Sequence, residues 1–438
     1  MSTDAALHTD EIVALASLRA RLDADRFLAL AEGVDVHLVG GAVRDALLGR
    51  DPHDLDLVVS SGGERLARAL ASQLAARFVH LGGQRFSSFR LVLRDRWIDL
   101  WDREGAALAT DLARRDLTLD AMALPVSGPL ELVDPLGGLD DLRARRLRAT
   151  TPEAFQADPL RVLRLCRLRG ELAGFAVENA TLALARAAAV GLTAIAAERL
   201  RDELERLLDA PYSPLALETL EAVGGGWALF AGAGRAAAGA LAVAALDGAM
   251  ATLATLGLTL RREERRQARL AGLARAAAGR DAERFLEQLA AAGRLTRANA
   301  RQATRLLALP ALDGDERSAR RFLHAAGPLW QAGLALRLAS GSIELEAVRT
   351  LIRVDRAVGD EVRSPRPLLR GQELASLAGL ADGPALGALV GELRSAQIDG
   401  TVGSREEALA WLREHGRTGG GNATVRTVGE HRADDADG

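Results

Sequence analysis

The stretch Val39-Gly40-Gly41-Ala42-Val43-Arg44-Asp45, with Asp54-Leu55-Asp56-Leu57 shortly beyond it, decides how this chain folds. VDVHLV (34–39) has strand character, and two glycines stand where that strand ends and a helix begins. Such a junction aims free backbone N–H groups at an anion, and the glycines permit close approach of phosphates. Arg44, one turn in, adds charge. In DLDLVV (54–59) side chains alternate, so Asp54 and Asp56 share one face while Leu55 and Leu57 face the core. Two adjacent carboxylates repel unless a cation lies between them, and hard oxygen ligands with open positions suit Mg2+. Asp99, in the strand-like RWIDLW (96–101), offers a third carboxylate from a neighbouring strand. Taken singly, the glycines read as a tight turn and the acids as a solvated strand; their spacing joins them into one candidate site.

Outward from this centre, an amphipathic helix is expected over 11–32, and FVHL (78–81) and FRLVL (89–93) read as further strands, so the first third is mixed α/β. From about residue 152 the chain is Ala/Leu/Arg-rich at helical spacing with no strand expected. Breaks are expected at Thr150-Thr151-Pro152, Pro211 to Pro214, Gly224 to Gly226 and Ser364 to Pro367. The polar, Gly-rich end from Gly416 is expected to be disordered. Trp227, Trp330 and Trp411 are expected in the core.

A chain of 438 residues implies several domains. No uninterrupted apolar run approaches the roughly 20 residues of a membrane span, and the N-terminus lacks a signal-peptide pattern; a soluble, cytoplasmic protein is expected, with no membrane partner. The single cysteine, Cys166, excludes an internal disulfide and a cysteine-rich zinc site. Every basic side chain besides histidine is arginine. The net charge of −3 argues against indiscriminate coating of nucleic acid, so any RNA contact must be local. Residues 143–170, with eight arginines against Glu153 and Asp158, meet that condition. Arg262, Arg265 and Arg266 in the helical LRREERRQARLAGLARAA (260–277) are candidate phosphate contacts, with a solvated helix face as the plain alternative.

Five segments then stand in order: GGAVRDALLGRDPHDLDLVV, DLARRDLTLDAMAL (111–124), DPLGGLDDLRARRLR (134–148), AFQADPLRVLRLCR (154–167) and ERLRDEL (198–204). Together they resemble the successive motifs of bacterial CCA-adding enzymes and their poly(A) polymerase relatives, over residues 34–208. The resemblance implies an α+β protein: a mixed-sheet nucleotidyltransferase head (1–150), then an all-α neck that reads the base (151–214), a helical body (215–362), a helical tail (363–415) and a disordered end (416–438). It implies CCA addition to the tRNA 3′ end from CTP and ATP, with two Mg2+ ions and release of pyrophosphate. Asp54 and Asp56 would bind the metals, with Asp99 as a third catalytic carboxylate. Gly40, Gly41 and Arg44 would hold the nucleotide, and Arg115 would contact its triphosphate. Asp158 can accept from the exocyclic amino group that cytosine and adenine share, and Arg161 can donate to the adjacent ring acceptor. Arg161, Arg164 and Arg167 form a spiral band on one helix. Asp158-Pro159 is equally a good helix start, which leaves Asp158 a purely capping role.

Three departures bear on specificity. Ala157 stands where the family has Glu, Asp120 where it has Asn, and the stretch Arg103–Arg114 is short, as in relatives that add only CC. No His and Asp cluster follows the helical body, so an attached phosphohydrolase domain is not expected. The competing readings are CC addition alone, poly(A) tailing, an inactive RNA-binding homologue and nucleotidyl transfer to a small molecule. Oligomeric state is not legible.

Overall fold

The computed structural model describes residues 6–22, 30, 33–52, 54–81, 88–94, 96–103, 105–230 and 236–415. The expected disordered end at 416–438, most of the expected helix beyond Leu22, and His53 lie outside the described residues. The chain forms two compact units: Met1–Leu241 with Ala276–Ala278 and Glu287–Thr296, and Ala242–Arg275 with Gly279–Leu286 and Arg297–Gly438.

The first unit is built on a six-stranded sheet of order β3-β4-β5-β2-β1-β6. Its strands are β1 (Val36–Val39), β2 (Leu55–Val59), β3 (Arg77–Leu81), β4 (Ser88–Val92), β5 (Trp97–Asp102) and β6 (Ala123–Pro125). β2 and β5 run parallel, and every other neighbouring pair is antiparallel. Central strands covered on both faces must be apolar almost throughout, and all four residues of β1 are buried. In β2 the only interruption is Asp56, which marks it as a residue kept for something other than packing. Val39, Val58, Leu112, Ala121 and Ala123 form a small core under the central strands, with Trp101 packed against it.

Five of the six strands fall where side-chain alternation places them. β6 is too short to show a period. So are β7 (Arg146–Leu147) and β8 (Ala176–Val177), which pair parallel; β8 corrects the expectation that no strand follows residue 152. The first helix runs Thr9–Ala20, and those at Leu160–Glu171, Ala197–Asp209 and Ser213–Ala222 pack on one another.

The DPLGGLDDL segment is a structural clamp. Asp134 accepts from Gly138 N at 2.7 Å and Leu139 N at 2.8 Å, capping the helix Gly138–Arg143. That helix brings Asp141, fully buried, to accept from Thr118 Oγ1 at 2.6 Å, Arg146 Nε at 2.5 Å and Arg148 Nε at 2.7 Å. Gly138 presses so closely on the turn Thr118–Asp120 that a Cβ would lie 2.3 Å from the Thr118 carbonyl oxygen.

The second unit is helical. Its tail has a core of its own, made by Leu369, Leu374, Leu386, Leu389, Leu393, Val402, Ala408 and Leu412. Within the helix Ala236–Thr255, the 18 residues Ala238–Thr255 are long and apolar enough to cross a membrane. Asp247 interrupts that stretch and pairs with Arg269 at 2.8 Å, and Val243, Leu246 and Leu253 are buried. Along the helix Arg262–Ala278, Arg262 is exposed while Arg265 and Arg266 are half-buried. Trp330 is buried and Trp411 packs on the tail core. Trp227, in the first unit, is 65% exposed, which corrects its expected place in the core: its four-residue helix Gly226–Leu229 buries Ala228 and Leu229 instead.

Gly138→Ala is expected to destabilise the first unit by about 2–3 kcal/mol, because backbone cannot yield to the added methyl as a side chain would. A lowered denaturation midpoint measured by circular dichroism checks this.

Candidate active site

Strand register builds the site. β2 against β5 sets Asp56 beside Asp99, and β4 against β5 sets Arg90 on the other side of Asp99, so three charged residues form a row across three strands. Asp54 immediately precedes β2; it and Asp56 are half-buried while Leu55 and Leu57 are buried, the alternation expected of acids sharing one face. β1 against β2 pairs Val39 with Asp56, which delivers the following residue, Gly40, to the acids. Gly40 has φ +74°, and a Cβ there would lie 2.6 Å from Arg115 Nη1 and 3.6 Å from Asp56 Oδ2. Only glycine lets turn, acid and arginine converge so closely.

Burial raises the Asp56 carboxyl to about 6; Arg115 opposes the shift, and Asp99 and Asp120 add to it. Asp99 is held by Arg90 through two parallel bonds, Nε to Oδ1 and Nη2 to Oδ2, both 2.7 Å. The Arg90 guanidinium lies 4.8 Å from the centre of the Trp97 ring. Its pKa is raised, first by the bond to Asp99, with further contributions from the charges of Asp54 and Asp56, so one guanidinium sits in the field of all three acids. Arg115 stacks 5.0 Å from the Trp101 ring centre, with Nη2 3.7 Å from Asp111 Oδ2.

Among the described residues no group of three or more His, Cys, Asp or Glu side chains is placed to hold a metal ion. Of the three acids, Asp99 has both oxygens engaged by Arg90. Asp54 and Asp56 nevertheless fit a divalent cation, because they are hard oxygen donors on one face and burial disfavours charge on Asp56 until a cation compensates it.

The remaining candidates are engaged by partners within the protein. Arg44 donates from Nη1 to Asp120 Oδ1 at 2.6 Å and from Nε to Asp45 Oδ1 at 2.9 Å, and its Nη2 lies 3.3 Å from where a Gly41 Cβ would stand. Burial opposes its charge, but Asp120 and Asp45 outweigh burial and raise its pKa. Asp120, the residue in place of Asn, is thus the buried counter-charge of Arg44; burial raises its own pKa against the pull of Arg44. Arg164 Nε donates to Asp116 Oδ2 at 2.7 Å, and although burial opposes ionisation of Asp116, Arg164 and Arg161 hold its carboxyl below the usual range. Arg161 donates to the carbonyls of Ala154 at 2.9 Å and Arg114 at 2.5 Å, tying its helix to the Arg114-Arg115-Asp116 loop. Arg167 binds Glu171 at 2.6 Å and Glu203 at 3.1 Å.

Asp158 accepts from Leu160 N at 3.2 Å, a local cap at the helix start, and from Arg199 Nη2 at 2.9 Å. The ERLRDEL segment therefore braces the Leu160–Glu171 helix at both ends, by Arg199 on Asp158 and Glu203 on Arg167. Several of the arginines in residues 143–170 also have partners within the protein. Arg143 binds Glu11, Arg146 and Arg148 bind Asp141, which is fully buried while both arginines stay partly exposed, and Arg164 and Arg167 bind the acids just named. Sequence reasoning missed Arg90, Asp141 and Arg199. Arg90 had a signal, as a charge alternating with Phe89 and Leu91 in a strand beside the acids.

Because the folded Asp56 pKa of about 6 exceeds its ordinary 3.8, ionisation of this group disfavours the fold. The penalty is absent below about pH 4, grows as the pH rises, and is complete above about 6, where it reaches at most about 3 kcal/mol. Asp56→Asn should therefore melt above the parent chain at pH 8 in chelator, and the gap should close towards pH 4; a gap independent of pH would contradict the assignment.

The chain matches the family described as poly A polymerase head domain over residues 36–148, and that described as probable RNA and SrmB-binding site of polymerase A over residues 174–224. The CC-adding tRNA nucleotidyltransferase of Geobacter sulfurreducens is 34% identical to it over 414 residues, which cover 88% of this chain and 93% of that protein. That of Synechocystis sp. is 30% identical, covering 87% and 94%. In three dimensions the chain is similar to the Bacillus stearothermophilus CCA-adding enzyme in complex with CTP, with TM-score 0.69, 24% identity and 91% and 97% of the two chains covered; this likeness concerns the fold.

Proposed function

The chain belongs to the tRNA nucleotidyltransferase family, and from that premise we propose that it extends the 3′ end of tRNA with cytidylates from CTP, releasing pyrophosphate. The observation that carries this reading is the convergence at Gly40, where the glycine turn, Asp56 and Arg115 meet within 2.6 to 3.6 Å of one point. A nucleotide triphosphate placed there has backbone for its phosphates, a cation in Arg115 and two acids at its α-phosphate.

Asp54 and Asp56 would hold a divalent ion of the Mg2+ type, which would supply Lewis-acid activation to the attacking hydroxyl and the leaving phosphate. Arg115 takes up negative charge on the triphosphate, and stacking on Trp101 fixes its approach. Arg44, buried beneath Gly41 and locked by Asp120 and Asp45, holds the turn in shape. Arg164 anchors the Arg114-Arg115-Asp116 loop through Asp116, and Arg167 secures the helix from which Asp158 and Arg161 read the base. Asp158 is engaged by Arg199 before substrate binds, so accepting a cytosine amino group exchanges one donor for another.

CC addition is favoured over the full CCA sequence by the short Arg103–Arg114 stretch and by the two relatives named for it, matched over 93% and 94% of their length. Completion with A is the second reading, supported by the fold shared with a CCA-adding enzyme. We assign 1–150 as the catalytic head, 151–214 as the neck, 215–362 as the body and 363–415 as the tail.

Incubation with tRNA lacking its 3′ end and labelled CTP or ATP, singly and together, separates these readings. Two C and no A are expected; a terminal A after C supports the second reading, and A alone contradicts both. Asp54→Ala is expected to lower the rate more than about a hundredfold, whereas Arg115→Ala should mainly raise the KM for CTP. Full activity of Asp54→Ala would overturn the site.

A further inference from the structure

Arg90 belongs to none of the motifs that mark the site, yet it makes the best-formed charged contact there. Its strand β4 is paired residue for residue with β5, so Arg90 stands beside Asp99 as Asp99 stands beside Asp56. The planar guanidinium uses both of its forked donors on both carboxylate oxygens, at 2.7 Å each, and the Trp97 ring supports it from one side. Buried Phe89 and Leu91 flank it along the strand and fix its direction. Asp99 is thereby turned to a fixed internal cation. The Asp54 and Asp56 charges reach the same guanidinium.

We infer that Arg90 is a positioning residue that holds Asp99 away from the ion site of Asp54 and Asp56, an internal counter-charge that a divalent cation must work against to recruit the third carboxylate. The inference rests on the metal role proposed above for Asp54 and Asp56. In this arrangement the free protein holds its acids in place without an ion, and its affinity for one is kept low. A guanidinium is suited to this, since it grips both oxygens and remains charged at every pH the fold survives. A cation acting through its charge alone would be matched by lysine, so a gain in ion affinity on losing only the guanidinium fork separates positioning from charge.

The test is titration of the full chain with Mn2+ alone, in the absence of nucleotide and RNA, followed by electron paramagnetic resonance of the free ion. Arg90→Met removes a like charge from the site and frees both Asp99 oxygens, so Mn2+ should bind on the order of tenfold more tightly than to the parent chain. Arg90→Lys keeps the charge but loses the fork and should show a smaller gain; it also serves as the readout if Arg90→Met unfolds. Unchanged or weakened binding in the folded variants overturns the proposal. Asp54→Asn is measured alongside: if it leaves Mn2+ binding intact, the metal reading itself fails, whereas loss of binding there with no gain on changing Arg90 removes only the role given to Arg90.

Discussion

Like charges lined up on one face of a sheet repel, and everything at the centre of this protein is arranged around that repulsion. Two carboxylates at the spacing of adjacent strands oppose each other by about 3 kcal/mol at an effective dielectric of 20. Register leaves no freedom to avoid it, because the β2 and β5 pairing sets Asp56 beside Asp99 while Asp54 follows from alternation. The structure answers with two guanidiniums from different segments, Arg90 from β4 and Arg115 from the loop after the helix Leu108–Ala113. Gly40 matters for the same reason, since any side chain there would occupy the space through which Arg115 reaches the acids.

Behind this front stands a second set of charges that connects distant stretches of chain. Arg44 with Asp120, Arg164 with Asp116, Arg167 with Glu203 and Asp158 with Arg199 each join segments at least 36 residues apart. The two most buried on both sides, Arg44 with Asp120 and Arg167 with Glu203, give little net stability, but losing one partner strands the other's charge, so they enforce a single arrangement strongly. Arginine suits that work better than lysine, because one planar group can satisfy two acceptors at once. Arg44 does this with Asp45 and Asp120, and Arg167 with Glu171 and Glu203.

The glycine turn and the acidic pair were legible because each rests on a local rule: alternation for Asp54 and Asp56, and the strand-to-helix junction for Gly40 and Gly41. Five strands were legible for the same reason. What could not be read was which arginine would meet which acid. That depends on contacts across tens of residues: of the eight arginines in 143–170, most meet Asp141, Asp116, Glu203 or backbone carbonyls, and no local pattern says which. β6 and β8 escaped because two or three residues carry no period, and Trp227 because one aromatic in a Gly-rich break gives no sign of which way it faces.

Cys166 lies fully buried on the helix that also carries Arg161, Arg164 and Arg167, and burial pushes its thiol pKa far up. No other thiol exists in the chain. Alkylation of this protein is therefore a clock for a single event, the moment at which the helix carrying Arg161, Arg164 and Arg167 leaves its packing, and its rate under native conditions counts those departures without any label being introduced.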